Sequence, residues 1–291
     1  MSSILESRIK VVPTGGALGA DIEGVDMRNI SPGDFEVLHR AWMQHLVLRI
    51  RGQKFDNPEH YALAKLFGEP GDSPLKKFTG RYWFEDFPQI SVLTNVDLGE
   101  GKPKGSLGFG DLYWHTDMNY SEQPPLGTLL HAYEIPPAGS GGETYFLNMY
   151  AAYDALAPAM KRRIDDLQLK HENVHSSSGG IRAGRQEPES GDVRDYPGVV
   201  HPLVRTIPET GRKCLYLGRR INAYLMGLPV DESEALLDEI WAHVDQPQFV
   251  WRQDWQVDDF IMWDNRTTMH RRDGFDPNSR RLMHRLVVHA A

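Results

Sequence analysis

The chain has 291 residues and a formal net charge of −8, so it lacks the basic footprint that non-specific nucleic-acid binding requires. Its one cysteine, Cys214, excludes an internal disulfide and a thiolate metal cluster. Composition is ordinary for a globular protein, no apolar stretch reaches membrane-spanning length, and the start lacks a basic region followed by an apolar run; a cytoplasmic protein with no membrane partner is the expectation.

In chain order, Ile9 to Val12 and Ala17 to Val25 read as opening strands around the turn Pro13-Thr14-Gly15-Gly16. Ser31 and Pro32 start a helix by cap and first-turn chemistry, with Phe35, Leu38, Trp42 and Leu46 on one stripe. Leu46 to Ile50 is a buried strand, and Asn57-Pro58 opens a second helix running through Phe67. Ile90 to Leu93 follows, then a strand-like run from Leu112 that Pro124-Pro125 stops, then Leu126 to Ile135, the loop Gly139-Ser140-Gly141-Gly142, and Gly142 to Leu147. From Ser176 to Pro197 the chain is polar with almost no apolar anchors, which at this length reads as a mobile lid or an insertion without order. Val199 to Thr206 and Lys213 to Leu217 are strands, Asp231 to Val244 is helical, and Phe249 to Arg252, Phe260 to Trp263 and Leu282 to His289 complete the series. Many short strands broken by Gly and Pro favour a sandwich, barrel or jelly roll.

Trp114 leads into His115-Thr116-Asp117, and His270 stands far downstream with Arg281 eleven residues after it. Two imidazoles and a carboxylate can occupy one face of a ferrous ion and leave the opposite positions open, as oxygen activation requires. In a chain with twelve histidines and forty acidic residues roughly one His-x-Asp triplet is expected by accident, and a second one exists, His243-Val244-Asp245. That second triplet ends a run in which Leu236, Leu237, Ile240, Trp241 and Val244 recur at helical spacing, where a histidine is accounted for by the negative end of the helix dipole. The first lies in a strand-like run, where side chains at i and i+2 share a face and converge. The plain alternative there is a hydrogen-bonded His-Asp pair within a strand.

Several runs, taken together and in order, carry a resemblance: Trp114 to Asp117, Gly141-Gly142-Glu143-Thr144, His201-Pro202-Leu203-Val204-Arg205, Gly211-Arg212-Lys213, Trp263-Asp264-Asn265-Arg266, His270, and Arg280 to Arg285. From about Val11 to the C-terminus the chain resembles the taurine dioxygenase and 2,4-dichlorophenoxyacetate dioxygenase family of iron(II)- and 2-oxoglutarate-dependent oxygenases. The resemblance implies a mainly β chain with flanking helices, a double-stranded β-helix or jelly roll, as one domain over residues 1–291. It makes His115, Asp117 and His270 the iron ligands at the catalytic centre. Thr144 and Arg281 match the residues that hold the distal carboxylate of 2-oxoglutarate, a role for which a planar guanidinium is suited. Arg285, two pleats beyond Arg281 and so facing the same way, matches the position that reaches the metal-proximal carboxylate region and the acidic head of the substrate.

Glu143 departs from the family's aspartate, which removes the expectation of that carboxylate's turn hydrogen bond. Asp111, Met118 and Tyr120 match substrate-pocket positions that vary among relatives, and packing beside the site would account for Met118 and Tyr120 as well. Fe(II), 2-oxoglutarate as cosubstrate and O2 are the implied cofactors, with succinate and carbon dioxide released as the substrate is hydroxylated; Asp117 argues against a halogenase. Residues Gly227 to Trp251 and Asp264 to Arg285 look closer to the herbicide-degrading branch. The implied substrate is a small organic anion hydroxylated at a carbon next to a heteroatom, an aryloxyalkanoate whose ether then cleaves, with taurine or an alkylsulfonate as the alternative. A homo-oligomer, dimer or tetramer, is expected from the family. The rival from another class is a zinc hydrolase, or a catalytically silent metal-binding jelly roll, on the same three ligands; the hydrolase has no use for Arg281.

Overall fold

The computed structural model describes residues 8–74, 81–97, 99 and 108–290. Six strands form the path of the larger sheet in the order Lys10–Pro13, Ala20–Glu23, Val47–Ile50, Phe260–Asp264, Gly127–Glu134 and Leu282–His289, and the short strands Glu69–Pro70 and Ser91–Thr94 both pair with the last. Every pairing is antiparallel except that of Ala20–Glu23 with Val47–Ile50. The smaller sheet runs Val250–Gln253, Thr144–Asn148, Thr268–Arg272, Leu112–His115.

Alternation along these strands sorts side chains into two buried layers. Val47, Leu130, Ala132, Ile261, Trp263 and Met283 face the smaller sheet and share a core with Trp114, Phe146 and Met269; Phe146 meets Trp263 with ring centroids 5.3 Å apart. Leu48, Ile50, Leu129, Met262, Leu286 and Val288, one residue out of phase, pack against Leu38, Trp42, Leu63 and Phe67 of two outer helices. This is the jelly roll with flanking helices that the resemblance implies, one of the three forms that the strand pattern left open. Both helices begin as expected: Ser31 with Asp34 caps Pro32–His45, and Asp56 with Glu59 caps Asn57–Phe67, each pair in a reciprocal box. Gly127 lets Trp42 lie against the sheet, since a Cβ there would come within 2.5 Å of its ring.

The second opening strand is shorter than its apolar run because Gly19 and Gly24, at φ +97° and +80°, bend the chain at both ends. The expected strand Val199 to Thr206 is two strands: Gly198–Pro202 pairs with Gln168–Glu172, and Val204–Thr206 pairs with Lys213–Leu215. Pro202 lacks the N–H that would continue one ladder. Gln168–Glu172 was not read from the sequence, nor were the helices Met149–Asp154 and Pro158–Ile164. Residues 176–197 contain no strand or helix but are tied down. Ser177 carbonyl accepts from Tyr113 N–H at 2.8 Å, residues 175 and 181 form a bridge, and Glu187 lies 3.1 Å from His175 Nε2 and accepts from the Tyr196 hydroxyl. Among the described residues no helix is long and apolar enough to cross a membrane.

Candidate active site

Strands Leu112–His115 and Thr268–Arg272 are antiparallel neighbours with His270 directly opposite His115, so the ladder sets the two imidazoles side by side, 4.1 Å between ring centroids. Asp117 lies two residues on, beyond the strand end, where a side chain takes over the work of a ladder. Its N–H donates to Asn265 Oδ1 at 3.0 Å, and Asn265 Nδ2 donates back to the Asp117 carbonyl at 2.9 Å. Met118 then adopts a left-handed backbone, φ 50°, which turns the chain away and costs an L-residue roughly 1–2 kcal/mol. One nitrogen from each histidine and one oxygen of Asp117 all fall within 4.8 Å of one another.

His115 Nδ1 sits 2.8 Å from the Tyr113 carbonyl; a carbonyl only accepts, so this nitrogen carries the proton and Nε2 keeps its lone pair. Burial, reinforced by the neighbouring His270, presses the His115 pKa down to about 3, and burial lowers that of His270 as well. Burial alone would raise the Asp117 pKa, but Arg285, followed by His270 and His115, outweighs it and holds the carboxyl at about 2. The carboxylate accepts from Arg285 Nη1 at 2.9 Å and from the Thr128 hydroxyl at 3.0 Å. Two neutral imidazoles and an ionised carboxylate, converging from buried positions, are a fitting donor set for a divalent metal. His270 Nδ1 is buried and has no hydrogen-bond partner among the described residues.

Two of the three ligands, His115 and His270, line a cavity of about 200 Å³ whose apolar wall is Leu93, Leu112, Leu130 and Trp263. Its polar lining includes Thr144, Arg272, Arg281 and Arg285. Arg281 is 3% exposed, donates to the Gly142 carbonyl at 2.7 Å and touches Met283 sulfur. It reaches that position because Gly142, at φ +86°, carries no Cβ, which would stand 3.1 Å from the guanidinium. Burial, then the like charge of Arg272, lowers the Arg281 pKa to about 9. Thr144 Oγ1 already accepts from Trp255 Nε1 at 3.0 Å, which leaves its own proton free to donate into the cavity. A buried guanidinium with a hydroxyl beside it, to which no carboxylate among the described residues hydrogen-bonds, is built for an anion from outside.

Three other residues singled out from the sequence lie off this cavity. Asp111 accepts from Gly274 N–H at 2.6 Å and lines a separate hollow of about 600 Å³ on the far side of Leu112. Tyr120 stacks under Arg182, 4.3 Å from its ring centroid, and Met118 occupies the turn beyond Asp117. Arg272, Asn265 and Thr128 are the contributors that the sequence did not single out for the site. Asn265 lay inside a run quoted for the resemblance; nothing local marked Thr128, and Arg272 stood only two residues from His270.

The sequence profile described as "Taurine catabolism dioxygenase TauD, TfdA family" matches residues 10–287. The chain belongs to the TauD/TfdA family. An α-ketoglutarate-dependent 2,4-dichlorophenoxyacetate dioxygenase of Burkholderia sp. (strain RASC) is 33% identical over 89% of this chain and 86% of its own length. Pentalenolactone F synthase of Streptomyces arenae is 30% identical over 96% of this chain and 95% of its own. The crystal structure of AAD-2 in complex with Mn(II) and N-oxalylglycine superimposes with a TM-score of 0.77 at 28% identity, covering 98% of both chains. The protein is therefore an α-ketoglutarate-dependent dioxygenase, an oxidoreductase using Fe(II), 2-oxoglutarate and O2. TauD/TfdA membership leaves the zinc-hydrolase and silent-binder readings without support, and small organic anions fit the family as substrates.

Proposed function

We propose that this dioxygenase hydroxylates a small organic anion at a carbon next to a heteroatom, with an aryloxyalkanoate as substrate and ether cleavage as the outcome. The observation that carries this reading is the cavity itself: two histidines of the metal-ligand triad, guanidinium groups and four apolar side chains share one lining. An apolar body with an anionic head suits such a lining, and the Burkholderia relative is named for an acid of that kind.

In this reading His115, Asp117 and His270 hold the metal, while Thr144 and Arg281 hold the distal carboxylate of 2-oxoglutarate. When bound, iron and cosubstrate supply the oxidation, in which 2-oxoglutarate gives succinate and carbon dioxide and one oxygen atom goes to the substrate carbon. Arg285, by its 2.9 Å ion pair, orients Asp117 and presents its remaining N–H groups toward the metal-proximal carboxylate and the substrate head. Its Nε is buried and unpartnered. Segment 176–197 covers the site through the Ser177 tether to the His115 strand, and Ser178 lines the cavity. The chain acts as a single domain, as a homo-oligomer and in the cytoplasm.

Anaerobic addition of Fe(II) and 2-oxoglutarate should give a weak visible charge-transfer band that Arg281→Met moves to much higher 2-oxoglutarate concentration. Succinate release should then depend on an aryloxyalkanoate. Release driven by alkylsulfonates and not by aryloxyalkanoates would transfer the assignment to sulfonates.

A further inference from the structure

Arg272 is 4% exposed and directly opposite Thr144 across the ladder between Thr144–Asn148 and Thr268–Arg272. It lies two residues past His270 on the same strand, so its side chain leaves on the metal's face but one pleat further from the metal. The cavity lining includes it with Thr144 and Arg281. Its Nη2 donates to the carbonyls of Gly108 and Gly110, and its guanidinium lies over Phe275 at 5.0 Å. Nε and Nη1 are buried and without a hydrogen-bond partner. Among the described residues no carboxylate hydrogen-bonds to Arg272 or Arg281.

Two buried guanidinium groups of like charge therefore line one small cavity, with Asp111 and Glu143 acting on them through space but hydrogen-bonding to neither. Such an arrangement is unfavourable in the empty site and becomes favourable with an anion between them. One carboxylate offers about four acceptor positions, enough for two guanidinium groups and a hydroxyl. The remaining arginine of the cavity, Arg285, is occupied with Asp117 at the metal end.

We propose that Arg272 is a second guanidinium for the distal carboxylate of 2-oxoglutarate, making that end of the cavity a two-arginine clamp; the proposal rests on the assignment of Thr144 and Arg281 given above. The register favours this over a role toward the substrate, because Arg272 shares its rung with Thr144 while the metal's rung is His115 and His270. A clamp of this kind makes cosubstrate binding depend steeply on the distal charge.

The test is calorimetric binding to the Mn(II)-loaded protein of 2-oxoglutarate and of 2-oxopentanoate, which has the same keto-acid head and no distal carboxylate. Arg272→Met should weaken 2-oxoglutarate by ~30-fold, the effect of removing a hydrogen bond to a charged group, and leave 2-oxopentanoate within about twofold, with Arg272→Lys between wild type and Met. Mn(II) affinity, measured in the same samples, reports that the fold and the ligand triad are intact. Unchanged 2-oxoglutarate binding in Arg272→Met, alongside a large loss in Arg281→Met, would overturn the clamp and leave the Arg281 assignment standing. Unchanged binding in Arg281→Met would overturn that assignment and the clamp with it. Equal loss of both keto acids in Arg272→Met and Arg272→Lys would make Arg272 structural and overturn the clamp alone.

Discussion

His115-Thr116-Asp117 and His243-Val244-Asp245 are the same pattern in two settings, and the settings decide their chemistry. At the first, a strand pairs His115 with His270, and Asn265, Thr128 and Arg285 all converge on Asp117. At the second, His243 sits in the last turn of helix Val230–Val244, and its Nε2 donates to the Ala152 carbonyl at 2.8 Å. Asp245 is the exposed cap of that helix and accepts from the Trp114 indole at 2.7 Å. Both polar groups of the second triplet are satisfied by the protein, whereas the first keeps His115 Nε2 free and points it at a third ligand from across the sheet. A triplet becomes a metal site when the fold supplies the missing donor and leaves lone pairs unused.

The largest effect should come from removing that cross-sheet donor. His270→Ala is expected to weaken Mn(II) or Fe(II) binding by ~100-fold or more, beyond the range seen for outer-sphere changes, while His243→Ala leaves it within twofold by the same calorimetric measurement. Comparable losses in the two variants would erase the distinction between the triplets. Next is Asn265→Ala, which touches no metal yet frees the backbone of Asp117 on both sides. A loss of ~10-fold in metal affinity is expected, the lower end for groups that orient ligands; an unchanged value would show that Thr128 and Arg285 suffice.

How much of this was legible in the chain follows the same division. Local chemistry was readable: Ser31-Pro32 and Asn57-Pro58 marked both helix starts, Gly and Pro bounded many of the short strands, and the histidines with Asp117 marked the centre. What depends on register was not. Nothing near Thr128 says that it lies under a residue eleven positions earlier, and Arg272 looks like any charged residue until the ladder places it opposite Thr144. The short strand Gln168–Glu172 was hidden for a related reason. It reads Gln-Leu-Lys-His-Glu, polar at four of five positions, yet Lys170, His171 and Glu172 are buried because Lys170 finds the Arg194 carbonyl and Glu172 finds the N–H groups of residues 174 and 175. Burial of polar groups is decided by partners, and the partners come from elsewhere in the chain.

A third histidine setting sharpens the comparison through pH. His284 lies on the helix side of the larger sheet, 4.3 Å from the Tyr133 ring centroid, and burial, then His131, pushes its pKa from 6.5 to about 4. The folded protein keeps this imidazole neutral while the unfolded chain protonates it, so its contribution to stability is complete above about pH 6.5 and is lost as pH falls toward 4. Denaturant titrations of the metal-free protein should show a slope of about 1 kcal/mol per pH unit from this one group, and His284→Phe should flatten it. A slope unaffected by His284→Phe would assign the acid sensitivity to other buried histidines.

The smallest effect separates the two triplets most cleanly, because the substitution is identical. Asp245→Asn keeps an oxygen for the Trp114 indole and removes only an exposed charge at a helix end, where aspartate is no help to the dipole. Stability should change by less than about 0.5 kcal/mol, in the range of surface substitutions, and metal affinity should not change. Asp117→Asn makes the same atomic exchange at a buried position, where it replaces an anionic ligand by a weakly donating amide and strands Arg285 beside two imidazoles. Metal titrations of this pair hold the chemistry of the mutation constant and vary only its surroundings. A measurable loss of metal in Asp245→Asn would mean that the Trp114 indole, anchored one residue before His115, transmits to the site, and the two triplets would then be parts of one structure rather than a site and its look-alike.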